Sequence, residues 1–454
     1  MPPSPDRILV LGGGLAGLQA ALHLADAGHR PVLLEAAKQL GGRARSWFDT
    51  ACAEELDNGP HLLMGAYTHT LRLLTRLGSR PYLLEERTPR FTFWDPTHGW
   101  QPLVCPDWPA PWHLLAALAR FTPLARRDIW NALRLCPPLL QTGHAHQQRL
   151  EQQSVSQWLQ HHRQSDALCQ RVWYPLCLAT LNEPAGSANA ALFATVLRKL
   201  FLGNRHAVRP LLPTRPLAQL FALPAQRAIQ QAGGEIHCQC RVQGMEFVGQ
   251  TLVAVHTNQG SWHTPRAVIA ALPHTALHRL LPASCAERPT IHLQDAPIVS
   301  VHLTYPHPAS LPVAMVGLPG ATSQWLLDRN RLRAREEEPL PQQGRFSAVL
   351  SGAYREQHWP AAQLIAHVHQ DLLGLLPALA PHRPCAARVI KERHATFAAW
   401  PGSSAARPDC QTPWRNLWLA GDWTRTGLPA TLEGACHSGL LAAQKILDFL
   451  GHER

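Results

Sequence analysis

The sequence predicts an α/β fold in which a parallel sheet is assembled from both ends of the chain and an α+β domain is inserted between those ends. Three observations predict it. Near the amino terminus an apolar strand runs into a glycine-rich turn and a helix, and near the carboxyl terminus an apolar strand runs into Gly421-Asp422 and a second helix. Further short apolar strands lie at residues 235–240 and 267–271. Because such strands must be covered on both faces, we expect remote segments to share one sheet.

The composition is that of a globular protein, and its charge does not identify a partner. The chain has 454 residues, enough for two or three folding units, with 46% hydrophobic residues and a net charge of +11. Without basic runs or helix-turn-helix spacing, we expect no nucleic-acid partner. Eleven cysteines without a CxxC pair, and no recognisable signal peptide, favour a reducing cytoplasm. We find no apolar run long enough to span a bilayer. We expect no metal site, although the CxC of Cys238 and Cys240 leaves a metal or redox pair open.

The amino-terminal turn has the spacing that cradles a dinucleotide. Residues 7–11 form the apolar strand, and GGGLAG opens the following helix. Gly12 allows the tight turn, Gly14 lets backbone N–H groups approach a pyrophosphate, and Gly17 lets the helix pack closely on the strand. A second strand ends at Glu35, whose carboxylate can accept hydrogen bonds from ribose hydroxyls. The predicted contacts of this segment are Gly12, Gly14, Leu15, Ala16, Gly17, Glu35 and Ala36.

The next segment indicates which dinucleotide is bound. The string GGRARS, residues 41–46, follows the second strand after a short connection, and such a loop brings an arginine back over the pyrophosphate. Arg43, beside Gly42, would donate charge-assisted hydrogen bonds to phosphate oxygens. The alternative for Arg43 is a solvated surface arginine. The loop favours FAD over NAD as the cofactor.

The string GGGLAGL…LLEA…LGGRARS resembles the amino terminus of the flavin amine oxidase and phytoene desaturase superfamily. The resemblance implies a glutathione-reductase-like FAD-binding Rossmann domain that is interrupted by substrate-domain segments and completed at the carboxyl end. We place this discontinuous FAD-binding domain at residues 1–90, 214–290 and 386–454. The inserted α+β substrate domain is then expected at residues 91–213 and 291–385.

The carboxyl-terminal segment resembles the second FAD motif of that superfamily. Residues 417–420 form an apolar strand before Gly421-Asp422, and residues 428–435 precede a helix through Ile446. In the superfamily the aspartate or nearby backbone holds ribityl hydroxyls or a phosphate, and the helix directs its amino end at the isoalloxazine ring. The contacts implied by this resemblance are Gly421, Asp422, Pro429, Ala430, Thr431, Gly434 and Ala435, with Val242 as the backbone contact of the adenine.

Three strings are similar to those of a narrower family. They are DNGPHLLMGAY at residues 57–67, PLCLATLNEPAGSANAALFATVLRKLF at 175–201 and LAGDWTRTGLPATLEGA at 419–435. Together they resemble the bacterial squalene-associated FAD-dependent desaturases, better named hydroxysqualene dehydroxylases, and the resemblance covers nearly the whole chain. It implies that a C30 allylic alcohol, hydroxysqualene, loses its hydroxyl and receives hydride from reduced FAD, in squalene synthesis for hopanoids.

His61 is the first choice for the acid that protonates the departing oxygen, because its motif is expected near the flavin. The alternative is a histidine that only satisfies backbone groups beside the cofactor. Asp57 is the second choice, or else a residue that orients His61 or a loop. Gly59, Pro60 and His61 are also predicted cofactor contacts.

A C30 hydrophobic isoprenoid substrate would not travel through water, so we expect the enzyme to meet it as a peripheral protein on the inner face of the cytoplasmic membrane. Residues 91–140 are the candidate dock, because tryptophans there interleave with leucines and arginines. The tryptophans are Trp94, Trp100, Trp108, Trp112 and Trp130, and the inserting leucines are Leu114, Leu115 and Leu118. The alternative is a group of substrate-domain helices that pack inward.

Three other functions stay open, since one scaffold can serve several chemistries. A carotenoid or squalene desaturase would run the flavin in the opposite redox direction on a similar polyene. An amine oxidase would need a lysine beside the ring, and Lys391 keeps that function open. A redox-silent isoprenoid carrier would retain FAD as a structural group. Because the sequence has no second nucleotide fingerprint, it leaves the electron donor that reduces FAD unidentified.

Overall fold

The apolar strand and the helix predicted at each end of the chain are present. A computed structural model describes residues 7–204, 206–281, 293–333 and 342–452, and the predicted domain boundary between residues 290 and 291 lies outside these ranges. The described strands are β1 (Ile8–Leu11), β2 (Val32–Leu34), β3 (Ser46–Asp49), β4 (Glu54–Asp57), β5 (Leu63–Met64), β6 (Leu83–Glu85), β7 (Arg90–Asp95), β8 (Gly99–Val104), β9 (Pro210–Pro213), β10 (Glu235–His237), β11 (Val242–Val248), β12 (Thr251–Thr257), β13 (Gly260–His263), β14 (Ala267–Ala270), β15 (Asp295–Tyr305), β16 (Met315–Gly317), β17 (Trp325–Asp328), β18 (Gly344–Ser351), β19 (Ala386–Phe397) and β20 (Leu417–Leu419). The described α-helices are α1 (Leu15–Asp26), α2 (Thr68–Arg76), α3 (Trp112–Arg120), α4 (Arg126–Leu133), α5 (Cys136–Leu140), α6 (His144–Glu151), α7 (Val155–His161), α8 (Asp166–Leu168), α9 (Tyr174–Leu181), α10 (Ala190–Phe201), α11 (Leu223–Gln231), α12 (His274–Leu280), α13 (Arg329–Arg333), α14 (Ala361–Leu375) and α15 (Leu432–His452).

A five-stranded sheet with the order β10-β2-β1-β14-β20 carries the amino- and carboxyl-terminal motifs. Its neighbouring strands are parallel. Strands β1, β14 and β20 are buried at every position, which explains why each is a continuous apolar run rather than an alternating one. Since β1 and β20 come from opposite ends of the chain, the prediction of an α/β sheet shared by remote segments is confirmed.

Two glycines let the helices that cover this sheet approach it and each other. A Cβ atom at Gly17 would lie 1.9 Å from the carbonyl oxygen of Gly12, and a Cβ atom at Gly439 would lie 2.1 Å from the carbonyl oxygen of Ala16. A larger residue at either position would therefore push α1 away from the turn or from α15. This packing holds the amino end of α1 directly after the carboxyl end of β1.

The second domain is built on a seven-stranded mixed sheet with the order β19-β15-β18-β17-β16-β7-β8. Strands β15, β18 and β19 form long antiparallel ladders, and β16 pairs with β7 in parallel. The sequence-based division places residues from 386 onward in the FAD-binding domain. In the structure Ala386–Phe397 form β19, which pairs with β15 in this sheet, and the position of the domain boundary stays a prediction.

The stretch expected to dock on a membrane divides into two parts. Residues 91–104 form the β7–β8 hairpin, where Trp94 lies opposite Trp100 and both rings are half-buried against the core of the large sheet. Leu118 in α3 is 1% exposed. It therefore belongs to the core, and its predicted insertion into a membrane is wrong.

The exposed aromatic residues of that stretch lie further along the chain. Trp108, Trp112 and Trp130 are 48%, 62% and 71% exposed. The guanidinium of Arg120 lies 5.8 Å from the centre of the Trp108 ring. The surface formed by Trp108, Trp112, Trp130 and Leu140 is called the tryptophan surface below.

Ion pairs join the two domains through the β3–β4 ribbon. Glu54 binds Arg329 at 2.6 Å, and these side chains are only 4% and 6% exposed. Asp49 in the same ribbon binds Arg388 of β19 at 2.6 Å. Because a buried charge that loses its partner is strongly destabilising, the Glu54–Arg329 pair fixes the large sheet against the amino-terminal segment.

Candidate functional site

The glycine turn after β1 leaves an open face at the amino end of α1. Gly12 has φ +103°, and a Cβ atom there would lie 2.5 Å from the carbonyl oxygen of Ala271, so only glycine fits the turn. At Gly14, in contrast, a Cβ atom would meet no described atom within 4 Å outside its chain neighbours. The side of Gly14 is thus open to a ligand, and the first N–H groups of α1 are oriented to bind an anion there.

Glu35 is fixed at the end of β2 by backbone groups. Its Oε2 accepts a hydrogen bond from the Gly13 N–H and its Oε1 from the Ala37 N–H, both at 2.7 Å. Each oxygen retains a lone pair for a ribose hydroxyl. The predicted strand 235–240 ends early, at His237, because the Cys240 N–H binds the carbonyl oxygen of Glu35. Two residues further along the chain, Val242 begins β11, and its contact with the adenine stays a prediction.

Arg43 and Asp422, predicted from opposite ends of the chain, form an ion pair. The Arg43 Nη2 lies 2.6 Å from Asp422 Oδ1, and its Nη1 donates a hydrogen bond of 2.6 Å to the carbonyl oxygen of Ala395. Burial lowers the pKa of Arg43, but nearby carboxylates, Asp422 foremost, raise it beyond that effect. The guanidinium therefore stays charged, as phosphate binding requires.

The carboxyl-terminal motif sets the amino end of α15. The Gly421 N–H donates to Ser438 Oγ at 2.9 Å, and the Gly434 N–H donates to Thr431 Oγ1 at 3.2 Å. A Cβ atom at Gly434 would lie 2.8 Å from the carbonyl oxygen of Pro429. Pro429 consequently lies close to the first turn of α15, where helix N–H groups can face a flavin ring.

Arg407 holds this motif in place, and the sequence gives no local signal for it. Its side chain is almost fully buried, and its guanidinium donates to the carbonyl oxygens of Leu428 at 2.7 Å and Asp422 at 3.0 Å, and also to that of Thr424. Its face lies 4.7 Å from the centre of the Phe397 ring. Burial lowers the pKa of Arg407 to about 10. Arg407 is therefore charged near neutral pH, and its guanidinium fixes the loop between Asp422 and Leu428.

Glu433 is a second residue that sequence reasoning missed. It is 2% exposed, and its carboxylate accepts hydrogen bonds from the backbone N–H groups of His69 at 3.0 Å and Thr70 at 2.9 Å. These are among the first N–H groups of α2, which a carboxylate stabilises. Glu433 therefore ties the start of α15 to the start of α2.

His61 and Asp57 lie close enough to influence each other's charge but are bonded to different partners. The His61 Nδ1–H donates to the carbonyl oxygen of Gly59 at 2.7 Å, and burial lowers the pKa of His61. Asp57 Oδ1 accepts hydrogen bonds from Ser46 Oγ at 2.6 Å and the Leu217 N–H at 2.8 Å, and burial raises the pKa of Asp57. The role of Asp57 that these bonds support is the positioning of the loop at Leu217.

The Arg43–Asp422 ion pair joins the predicted residues from the two ends of the chain. That they bind FAD through these atoms stays a prediction, and the open face at Gly14, the fixed Glu35 carboxylate and the charged Arg43 fit that cofactor. The Nζ of Lys391 donates a hydrogen bond to the carbonyl oxygen of Trp359 at 2.5 Å. The parallel sheet and its cradle define a flavin-dependent oxidoreductase with a Rossmann-type FAD-binding domain.

Comparison with known proteins identifies the family of flavin-dependent oxidoreductases to which the chain belongs. The sequence pattern of the family described as flavin containing amine oxidoreductase matches residues 15–447. Hydroxysqualene dehydroxylase of Rhodopseudomonas palustris is 31% identical over 96% of this chain and 97% of that protein. The 15-cis-phytoene desaturase of Synechococcus elongatus is 25% identical over 97% of this chain and 96% of that protein. The chain belongs to the flavin containing amine oxidoreductases and, within them, to the hydroxysqualene dehydroxylase family, and its cofactor is FAD.

Solved structures of low sequence identity share the fold. A putrescine oxidase variant aligns over 98% of this chain and 99% of its own, with a TM-score of 0.72 at 16% identity. A putative protoporphyrinogen oxidase from Exiguobacterium aligns over the same shares with a TM-score of 0.67 at 17% identity. Both alignments confirm the glutathione-reductase-like domain with its inserted substrate domain. Among the described helices, none combines the length and the apolar character needed to cross a bilayer.

Proposed function

We propose that this chain removes the allylic hydroxyl of hydroxysqualene and forms squalene, as a step in bacterial squalene and hopanoid biosynthesis. The observation that carries the proposal is the nearly end-to-end similarity to three proteins named hydroxysqualene dehydroxylase, at 28 to 31% identity. Proteins named 15-cis-phytoene desaturase align over comparable lengths at 24 to 26% identity. Both kinds of name support a hydrophobic isoprenoid as the substrate.

An apolar region beside His61 supports such a substrate. Leu62, the next residue, packs against the cluster that contains Met315 and Leu327 of the large sheet, and Trp325 packs there as well. Burying about ten CH₂ groups against such side chains would contribute about 8 kcal/mol before the costs of binding. That energy suits a long isoprenoid chain.

In this reaction the protein's own residues transfer a proton and stabilise the allylic cation. Reduced FAD, when bound, supplies the hydride that replaces the hydroxyl. An acid of the protein must protonate the hydroxyl oxygen so that it leaves as water. Aromatic faces can then stabilise the allylic cation without attacking it. Trp325, which packs on the apolar region, forms an aromatic pair with Phe93, and their ring centres lie 5.8 Å apart.

We include contact with a membrane surface in this proposal. The tryptophan surface supports it, because exposed indole rings next to Arg120, Arg126 and Arg127 suit the headgroup region of an anionic bilayer. A substrate as apolar as a C30 alcohol would enter from such a surface. The location that follows is the inner face of the cytoplasmic membrane.

Anaerobic turnover tests the proposed direction of the reaction. Protein whose flavin is reduced beforehand should convert hydroxysqualene to squalene, and protein with oxidised flavin should leave squalene unchanged. The opposite pair of results would favour the desaturase suggested by the phytoene desaturase relatives. A flavin that no isoprenoid reduces or reoxidises would instead favour the redox-silent carrier. Lys391, bonded to Trp359, gives no support to an amine oxidase.

A further inference from the structure

Two histidines and an aspartate form a hydrogen-bonded chain near the cofactor cleft. Asp295, the first residue of β15, binds His394 Nδ1 through Oδ2 at 2.5 Å and His274 Nε2 through Oδ1 at 3.0 Å. The His274 side chain is 9% exposed and that of Asp295 22%, whereas the His394 side chain is 67% exposed. One carboxylate thus fixes two imidazoles, and only His394 presents most of its ring outside the protein core.

A bulge in β19 places His394 in this position. The pairing of β19 with β15 is regular from Ala386 to Glu392 and then shifts, so that residues 393–395 lie opposite Pro297 alone. A bulge of this kind re-aims a side chain and is frequent beside active sites. The extra residues turn His394 out of the regular ladder.

This bulge borders the residues predicted to hold FAD. Arg43 donates a hydrogen bond to the carbonyl oxygen of Ala395, the residue after His394. The charge of Asp295 is among those that raise the pKa of Arg43 against the lowering effect of burial, together with Asp422. The histidine–aspartate chain therefore lies close to Arg43, the arginine predicted to bind the pyrophosphate.

We propose that His394 is the acid that protonates the departing hydroxyl, with Asp295 as the residue that positions it; this rests on the proposed dehydroxylation. Because Nδ1 is bonded to the carboxylate, Nε2 carries the proton that is transferred. The Nε2–H bond breaks as an O–H bond forms on the hydroxyl oxygen, and the C–O bond breaks with its electron pair going to oxygen. One water leaves, the imidazole becomes neutral, and the hydride from reduced flavin balances the charge of the allylic cation.

His394 fits this role better than His61. Burial lowers the pKa of His61, and the Nδ1–H of that ring is committed to the carbonyl oxygen of Gly59, which stabilises the neutral ring as well as the charged one. His394 instead binds the Asp295 carboxylate through Nδ1 at 2.5 Å, which leaves Nε2 for the substrate in a side chain that is 67% exposed. His274, held by the other oxygen of Asp295, fixes the carboxylate in place.

Substitution of His394 by glutamine tests the proposal against a matched control. With reduced flavin under anaerobic conditions, His394→Gln should convert hydroxysqualene about 10² to 10⁴-fold more slowly than the unmodified protein, the range expected for loss of a general acid. The control is His256→Gln, which removes another exposed histidine paired with a carboxylate, Glu246 at 3.4 Å. This control should turn over at the unmodified rate.

The leaving group separates an acid from a residue with a structural role. In the trifluoroacetate ester of the same alcohol, the leaving group is the trifluoroacetate anion, whose departure needs no proton. His394→Gln should therefore convert the ester within about tenfold of the unmodified rate. An equal loss on alcohol and ester would overturn the proposal, as would full activity of His394→Gln on the alcohol. If the unmodified protein does not convert the alcohol, the proposed function itself fails and the acid role fails with it.

Two further measurements do not depend on turnover. The dissociation constant of FAD, measured on apoprotein, should agree within about twofold between His394→Gln and the unmodified protein, because the acid acts on the substrate. Nitrogen-15 spectra should show a proton on Nδ1 of His394, assigned by comparison with His394→Gln, and Asp295→Asn should shift that resonance. FAD binding lost in parallel with activity, or a Nδ1 resonance that Asp295→Asn leaves unchanged, would contradict the assignment.

Discussion

Replacing Gly14 by alanine separates the folding of the glycine turn from its role as a pyrophosphate cradle. Gly14 has φ −74° and ψ 178°, a conformation that alanine adopts without strain. The added Cβ atom would meet no described atom within 4 Å outside its chain neighbours. Gly14→Ala should therefore unfold, as apoprotein, with the free energy of the unmodified chain.

The same methyl group would occupy the open face where phosphate oxygens approach the amino end of α1. Displacing the pyrophosphate by about 1 Å would break two hydrogen bonds to a charged group, each contributing about 1.5–3 kcal/mol. The total of about 3–6 kcal/mol corresponds to FAD binding that is about 10² to 10⁴-fold weaker.

Fluorescence titration of apoprotein with FAD measures this loss, and urea unfolding of the apoprotein measures stability. Gly12→Ala is the matched control, because a Cβ atom at that position would lie 2.5 Å from the carbonyl oxygen of Ala271 at φ +103°. It should lower stability and FAD affinity together. Tight FAD binding by Gly14→Ala, within about threefold of the unmodified chain, would refute the assignment of the cradle.

Two further predictions concern Arg407 and the tryptophan surface. Arg407→Met should lower the free energy of unfolding by about 3 kcal/mol or more, because several buried carbonyl oxygens lose a charged donor, while Arg407→Lys should retain part of that stability; an unchanged urea midpoint would count against the role given to Arg407. Joint replacement of Trp108, Trp112 and Trp130 by serine should cut co-flotation with vesicles of about 30% anionic lipid at least about fivefold while the FAD content stays the same. Phe48→Ser, at a residue 64% exposed, is the control, and equal flotation of the triple variant would rule out the tryptophan surface as the dock.

The parts of the fold that sequence reasoning predicted are those with a local cause. The turn from Gly12 to Gly17 lies between an apolar strand and an amphipathic helix, so its spacing alone predicts strand, turn and helix. Glu35 and Arg43 follow within one supersecondary unit. The assembly of remote ends into one sheet was predicted because Gly421-Asp422 follows an equally apolar strand. In each case neighbouring residues determine the structure.

The residues that were missed act through contacts between distant segments. Arg407 is an ordinary arginine in a polar loop, and only the return of residues 422–428 around its guanidinium shows why it is buried. Glu433 stabilises the start of α2, more than 360 positions earlier in the chain. The pairing of His394 with Asp295 depends on the register shift between β19 and β15. Single-sequence patterns contain no signal for such pairings.

The prediction of the membrane dock failed at Leu118 for a related reason. The helical spacing of residues 112–120 shows that one face is apolar, but it cannot show which face the rest of the protein covers. In the structure Ala117 and Leu118 lie in the core, and Trp112 is exposed. The exposed tryptophans rather than Leu118 are therefore the residues to test.

Deuterium incorporation tests the central claim of a reductive dehydroxylation most directly. Holoprotein reduced in D₂O exchanges the transferable hydrogen of its flavin with the solvent, so anaerobic reaction with hydroxysqualene should give squalene with one deuterium at the carbon that carried the oxygen, in an amount equal to the flavin reoxidised. Recovery of hydroxysqualene unchanged beside flavin that stays reduced, or squalene without deuterium at that carbon, would contradict the proposed chemistry.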